Sequence, residues 1–130
     1  MDISLKARAA HVALRAGAAF AFIYPAVNAW GDPNAWVGYF PQFVLDAGAA
    51  LGASDIVVLH AFGALEIVIG VWFLWGRKLF WPAAAATAIL LLIVGFHTEH
   101  MQVVFRDLSI AAMTFALALT HLPHKREALQ

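Results

Sequence analysis

The chain contains 130 residues, of which 63% are hydrophobic and 12% charged, and its formal net charge at pH 7 is zero. A soluble domain of this length cannot bury so much apolar surface, and the mean hydropathy of +0.79 therefore favours an integral membrane protein. With no basic run and no cysteine, the sequence excludes the electrostatic footprint of a nucleic-acid-binding protein, as well as disulfides, thiolate metal sites and dithiol relays.

Four apolar segments approach the roughly 20 residues that a helix needs to cross a bilayer. Residues 1–130 are predicted to form one transmembrane domain, an all-α polytopic four-helix bundle with spans over about 11–30, 57–75, 79–96 and 103–122. The first span contains Arg15 and Pro25. Its basic start also resembles a cleaved signal peptide. Because Arg15 interrupts the apolar region, a retained helix is favoured.

The three later spans differ in their polar content. The second carries a single carboxylate, Glu66, near its middle and therefore near the bilayer midplane. The third has Pro82 in its first turn, where the missing N–H does little harm. The fourth reaches a full span only by including Arg106 and Asp107.

Basic residues in the short connections predict the orientation, because cytoplasmic loops carry an excess of Lys and Arg. They precede the first span, join the second to the third and follow the fourth: Lys6, Arg8, Arg77, Lys78, Lys125 and Arg126. Both termini are therefore expected in the cytoplasm, and the protein in a bacterial inner membrane. The long outer loop 31–54 is partly apolar and aromatic, so we expect it to lie along the outer surface or to cap the bundle.

An ionisable residue within a span usually has a partner, and Glu66 has two candidates. Arg15 approaches from the cytoplasmic end and Arg106 from the outer end, each roughly 8–10 Å from the midplane at 1.5 Å of rise per residue. Together with Asp107 these are the candidate catalytic residues, and the sequence leaves open which arginine meets Glu66. The alternatives are a neutral Glu66 hydrogen-bonded for packing, an Asp107 that caps the fourth span, and an Arg106 that reaches for headgroups.

Histidines form a second constellation near the outer side. His60 lies in the first turn of the second span, and His97, Glu99 and His100 lie where the third span ends. Imidazole and carboxylate groups can bind a transition metal, so these four are weak metal candidates. Their spacing matches no recognised signature, and interfacial histidines are usually ordinary hydrogen-bonding groups. We therefore predict no metal site.

Several stretches together resemble the DoxX-like (DoxX/DoxD) integral membrane proteins. They are an arginine in the first helix, "GALEIVIGVWFLWGR" in the second, "VFRDLSIAAMTFALAL" in the fourth and the aromatic outer stretch "AWVGYFPQFV". The resemblance covers about residues 15–119 and places Glu66, Arg106 and Asp107 at the matching polar positions. It implies four membrane spans and a link to quinone-dependent oxidation. Members of the group that use thiol chemistry have cysteines, and this chain has none.

A quinone-linked, redox-associated subunit is the first functional hypothesis. A quinone needs an apolar slot, hydrogen-bond donors and a proton supply, with Tyr24, Phe62 and Trp72 as candidate lining residues and Glu66 as the proton relay. The sequence contains no haem, flavin or iron–sulfur motif, so the electrons must come from a partner protein.

The alternative hypothesis is a non-catalytic accessory or assembly subunit of a larger membrane complex. Small size and many aromatic residues suit that role. A third hypothesis, transport of a small molecule or ion, requires an oligomer, because four short helices alone do not form a conduit. The expected partners are the lipid bilayer and other membrane proteins or further copies of this chain.

Overall fold

A computed structural model describes residues 3–123. Within that range the chain forms helices and no strand, which confirms the all-α prediction. The long helices are α1 (Ile3–Gly31), α4 (Asp55–Trp75), α5 (Phe80–Phe96) and α6 (Met101–Thr120), and two short ones, α2 (Pro33–Val37) and α3 (Gln42–Ala50), follow α1. A 3₁₀ turn, Thr98–His100, connects α5 to α6.

Three helical segments in this range are long and apolar enough to cross a membrane: α1, α4 and α6 together with its preceding 3₁₀ turn. They indicate a lipid bilayer environment. The fourth predicted span coincides with this α6 segment, and the third with α5, which is apolar but has only 17 residues. The first begins at Ile3 rather than near residue 11, because the Lys-, Arg- and Ala-rich start consists of strong helix formers. The orientation prediction depends partly on Lys125 and Arg126, which lie outside the described residues.

The long helices associate as two close pairs, α1 with α4 and α5 with α6. Smaller contacts connect α1 to α6 and α4 to α5. The four long helices therefore form a ring in the order α1, α4, α5, α6, in which α4 and α6 are diagonal to each other. In the α1–α4 pair, Gly63 lies against Ala26, and a Cβ added at Gly70 would lie 2.5 Å from the Ile23 side chain. Small residues thus let the two backbones approach closely.

The α5–α6 pair is also built on small residues. Ala83 and Ala86 of α5 and Ala111 of α6 are buried in its interface. The hydroxyl oxygens of Thr87 and Thr114 are 2.8 Å apart, and the Thr114 side chain is fully buried. This hydrogen bond connects the two helices at a fixed register.

Helices α2 and α3 cover one end of the long helices. Phe40 meets Phe62 edge-on, with ring centroids 5.5 Å apart, and Phe43 lies 5.3 Å from Phe96. The segment Pro33–Ala50, named the cap here, therefore packs on α4 and α5 as the aromatic composition of the loop predicted. We call this the cap end of the protein and the other the opposite end.

Candidate functional site

Glu66 and Asp107 both lie on the inner stripes of their helices. Glu66 is one turn from Gly63 and from Gly70, two buried positions of α4. Asp107 falls between the buried residues Val104 and Ala111 of α6 with the same spacing. Both carboxyl side chains are half-buried. Each acid therefore lies on the side of its helix that packs against the other helices.

Contacts along α1 place these two acids at one level of the molecule. The Nε2 atoms of His11 and His121 are 3.1 Å apart, and the rings of Trp30 and His60 stack at 4.1 Å. Helix α1 runs antiparallel to both α4 and α6. Counting residues from the Trp30–His60 contact puts position 24 of α1 level with position 66 of α4, and counting from the His11–His121 contact puts it level with position 108 of α6. Consistent with this register, the charges of Glu66 and Asp107 interact.

Arg15 does not meet Glu66 but binds the end of α4. Its Nε donates to the Phe73 carbonyl at 2.8 Å and its Nη2 to the Leu74 carbonyl at 2.7 Å. The last carbonyls of a helix lack backbone donors and carry partial negative charge, so they attract a cation. Gly76, with φ of 84°, ends α4 in the left-handed region, and a Cβ there would overlap the guanidinium. Arg15 therefore supplies hydrogen-bond donors to the last turn of α4.

Arg106 also stays away from Glu66. Its Nε lies 3.4 Å from the carbonyl of Val103 in its own helix, at an exposed position. Within residues 3–123 neither arginine forms a hydrogen bond or ion pair with Glu66, so the predicted arginine–glutamate pair is not formed. The reading of Asp107 as a cap is also wrong, because α6 begins at Met101 and Asp107 lies in its second turn.

The three aromatic residues predicted to line a quinone slot do not come together. Tyr24 is 52% exposed and lies beside Phe20, on the outward face of α1. Phe62 contacts the cap, and the Trp72 indole donates to the Arg77 carbonyl at 2.8 Å. Phe62 and Trp72 are about 15 Å apart along α4 at 1.5 Å per residue. No single ring can contact both.

An apolar groove of about 380 Å³ lies instead between α5 and α6. Its lining includes Phe80, Thr87, Leu91, Phe115, Leu119 and Leu122. Small alanines of both helices leave this space beside the larger side chains. The alanine-rich run "PAAAATA" at the start of α5 is the sequence signal for this groove.

The four weak metal candidates are also separated. His60 stacks on Trp30, away from the others. The rings of His97 and His100 are 6.5 Å apart, and Glu99 is exposed. Nowhere in the described part of the chain do three His, Asp or Glu side chains gather closely enough to hold a metal ion.

Sequence reasoning missed the contact between His11 and His121 at the opposite end. Besides its 3.1 Å contact with His11, His121 has its Nδ1 2.8 Å from the Leu117 carbonyl. A carbonyl only accepts, so Nδ1 of His121 donates, its Nε2 accepts, and Nε2 of His11 is the donor between the rings. The two residues are far apart in sequence, and no local pattern announces such a pair.

No protein-family model, curated protein or solved structure matches the chain. Function must therefore be argued from the site. Its distinctive element is two half-buried carboxyl groups at one level of two helices that are apolar enough to cross a membrane, with no hydrogen bond or ion pair to a guanidinium in residues 3–123. Such a pair can hold and release a proton.

Proposed function

We propose that this chain is a membrane four-helix bundle of DoxX type, in which Glu66 and Asp107 exchange a proton as part of a quinone-linked, redox-associated complex. The observation that carries the proposal is the placement of these two half-buried carboxyls at one level of two long apolar helices. An intramembrane carboxyl group is costly, and such groups commonly mark proton pathways.

The chemistry of the pair follows from electrostatics. Two carboxylates that share a weakly solvated site repel each other, so a single proton held between them is the favoured state. With one proton held, the pair carries one negative charge; delivering that proton leaves two carboxylates that repel each other, and a new proton restores the first state. Glu66 and Asp107 thus function as a unit that takes up and releases one proton per cycle.

Quinone reduction consumes two electrons and two protons, and in the proposal this chain delivers the protons. The sequence contains no cofactor motif, so the electrons come from a partner protein in the same complex. The apolar α5–α6 groove gives the quinone a surface for its hydrophobic tail. Phe115, in the groove wall, is about 12 Å from Asp107 along α6 at 1.5 Å per residue. That distance suits proton delivery through water.

Gentle purification, followed by identification of bound quinone and of associated proteins, tests the proposal. We expect quinone and an oxidoreductase to co-purify, and Glu66→Gln and Asp107→Asn each to abolish quinone reduction by the complex. Asp32→Asn is the matched control, because Asp32 is exposed and its side chain caps no helix. Absence of quinone combined with unchanged activity in both site variants would overturn the redox function.

The accessory-subunit alternative is favoured by a different observation, the exposed aromatics of the cap. Phe43 is 58% exposed and Tyr39 44% exposed, although both also contact α5 residues. Aromatic side chains of this kind are frequent anchors in protein interfaces. If Phe43→Ser and Tyr39→Ser dissociate a complex whose activity is insensitive to Glu66→Gln, the chain is an assembly subunit.

A further inference from the structure

His97 occupies a distinctive position at the end of α5, between the cap and the two acids. Its ring is half-buried, and Nδ1 lies 2.8 Å from the Ile93 carbonyl. Since a carbonyl oxygen only accepts, Nδ1 carries a hydrogen in every protonation state that keeps this bond. Nε2 is therefore the atom of His97 that gains or loses a proton.

The neighbours of His97 belong to the cap, to the turn that follows α5 and to α6. On the cap side the Tyr39 ring lies 6.1 Å away, and the His100 ring, which is exposed, lies 6.5 Å away. On the inner side, the charge of Asp107 interacts with His97 and with Arg106.

The helix register agrees with this order. Counted from the hydroxyl contact between Thr87 and Thr114, position 94 of α5 is level with position 107 of α6. His97 therefore lies about one helical turn from Asp107, toward the cap end. Going inward from the cap end, His97 comes first and then Asp107 and Glu66; all three are half-buried, whereas the neighbouring His100 is exposed.

We propose that His97 is the relay through which protons enter and leave the Asp107–Glu66 pair at the cap end. The proposal rests on the proposed function, because it takes the two acids as the proton-exchanging unit. Nε2 of the neutral ring accepts a proton from a hydronium ion, which gives an imidazolium and a water molecule. The Nε2–H then passes a proton through that adjoining water to the carboxylate of the Asp107–Glu66 pair, and the ring returns to its neutral form.

The neighbouring groups do not substitute for His97. The Arg106 guanidinium holds its protons permanently and provides only a fixed positive charge. Glu99 and His100 are exposed and lie in the turn that follows His97, outside α5. An imidazole is suited to the transfer because one ring nitrogen can accept and donate a proton while the other keeps its hydrogen bond. Its Nδ1 bond to Ile93 keeps the ring oriented throughout.

Time-resolved infrared spectroscopy of the full chain in lipid nanodiscs tests the relay. After a pH jump, the carboxylic C=O stretch of the pair is followed, and its assignment is confirmed by its loss in Glu66→Gln and Asp107→Asn. In His97→Gln, we expect the rate of this response to fall by about a hundredfold, a typical contribution of a positioned proton-transfer group, with its final amplitude retained. The Gln amide can still donate to the Ile93 carbonyl, which preserves the end of α5.

Two comparisons make the result decisive. His100→Gln is the matched control and should respond at the wild-type rate, and added imidazole should restore a fast response in His97→Gln. An unchanged rate in His97→Gln overturns the relay and leaves the proton-exchanging pair intact. A wild-type protein with no carboxyl band that Glu66→Gln or Asp107→Asn removes overturns both proposals.

Discussion

Arg15 and the Glu66–Asp107 pair are both charged sites within membrane-crossing helices, and the fold treats them in opposite ways. Arg15 lies where α4 ends and is bound by two backbone carbonyls. Glu66 lies in the middle of α4, where every backbone N–H already belongs to the helix ladder, so no main-chain donor is free. A cation at a helix end is thus satisfied by the backbone, whereas a carboxyl within a helix must find a side chain or a proton.

The largest expected effect is the loss of Arg15. Arg15→Met removes two charge-assisted hydrogen bonds and leaves the end of α4 without its donor, so we expect about 2–3 kcal/mol less stability. Denaturant unfolding in detergent micelles measures this difference. Arg106→Met is the matched control, because the hydrogen bond of Arg106 is long, exposed and confined to its own helix, and the substitution should change stability by less than about 0.5 kcal/mol. Equal effects of the two variants would contradict the assignment of Arg15 as the α4 end group.

A second test concerns the close approach of α1 and α4 that brings Arg15 to its carbonyls. In Gly70→Ala the new methyl group meets Ile23 at 2.5 Å and the Ala19 carbonyl at 3.1 Å, so overpacking should cost about 1–3 kcal/mol. In Gly63→Ala the nearest atom is the Ala26 methyl at 3.5 Å, an ordinary contact, and stability should be nearly unchanged. Thermal unfolding of both variants decides whether this helix pair is as tight as described.

The acid pair should behave in the opposite way to Arg15. Glu66→Gln and Asp107→Asn break no ion pair within the described residues, so each should alter the free energy of unfolding by less than about 1 kcal/mol. If the two sites share one proton, as proposed, the double variant should show a coupling energy between them. Unfolding measured for the wild type, the two single variants and the double variant gives this coupling. Strictly additive effects would show that the two carboxyls do not interact.

The smallest effect is expected at the opposite end. The His11–His121 contact needs one Nε2 to accept, and acidification that protonates both rings gives two donors facing each other. The contact is therefore present at neutral pH and lost as pH falls, at a cost of about 0.5–1 kcal/mol. Unfolding followed between neutral and mildly acidic pH in the wild type and in His11→Phe tests this. The variant should lose that part of the pH dependence.

The sequence predicted the helices better than their mutual arrangement. Hydropathy located the four long segments, and the aromatic residues of 31–54 indicated a segment that packs on the bundle end. The interior position of Glu66 was also expected, because a lone carboxylate in an apolar helix avoids lipid. Each of these features depends on the hydropathy, aromatic content or charge of one segment, so that segment's own sequence predicts it.

The errors arose where helix rotation and pairing decide the outcome. The predicted arginine–glutamate pair relied on distance along the helix axis. That distance says nothing about the direction in which each side chain points around its helix. Arg15 donates instead to backbone carbonyls at the end of α4. Arg106 is adjacent to Asp107 and therefore points about 100° away from it around α6. Tyr24 shows the same effect, since it is level with Glu66 but faces outward.

The division of the long helices into two close pairs has a consequence for the proposed proton exchange. Glu66 belongs to the α1–α4 pair and Asp107 to the α5–α6 pair, and the contacts that connect the pairs are narrow. Under the proposal, two ionised carboxyls repel each other across the two pairs, and a proton between them removes that repulsion. The proposal therefore couples the separation of the two pairs to the release of the proton, because moving the carboxyls apart weakens the repulsion that the proton relieves.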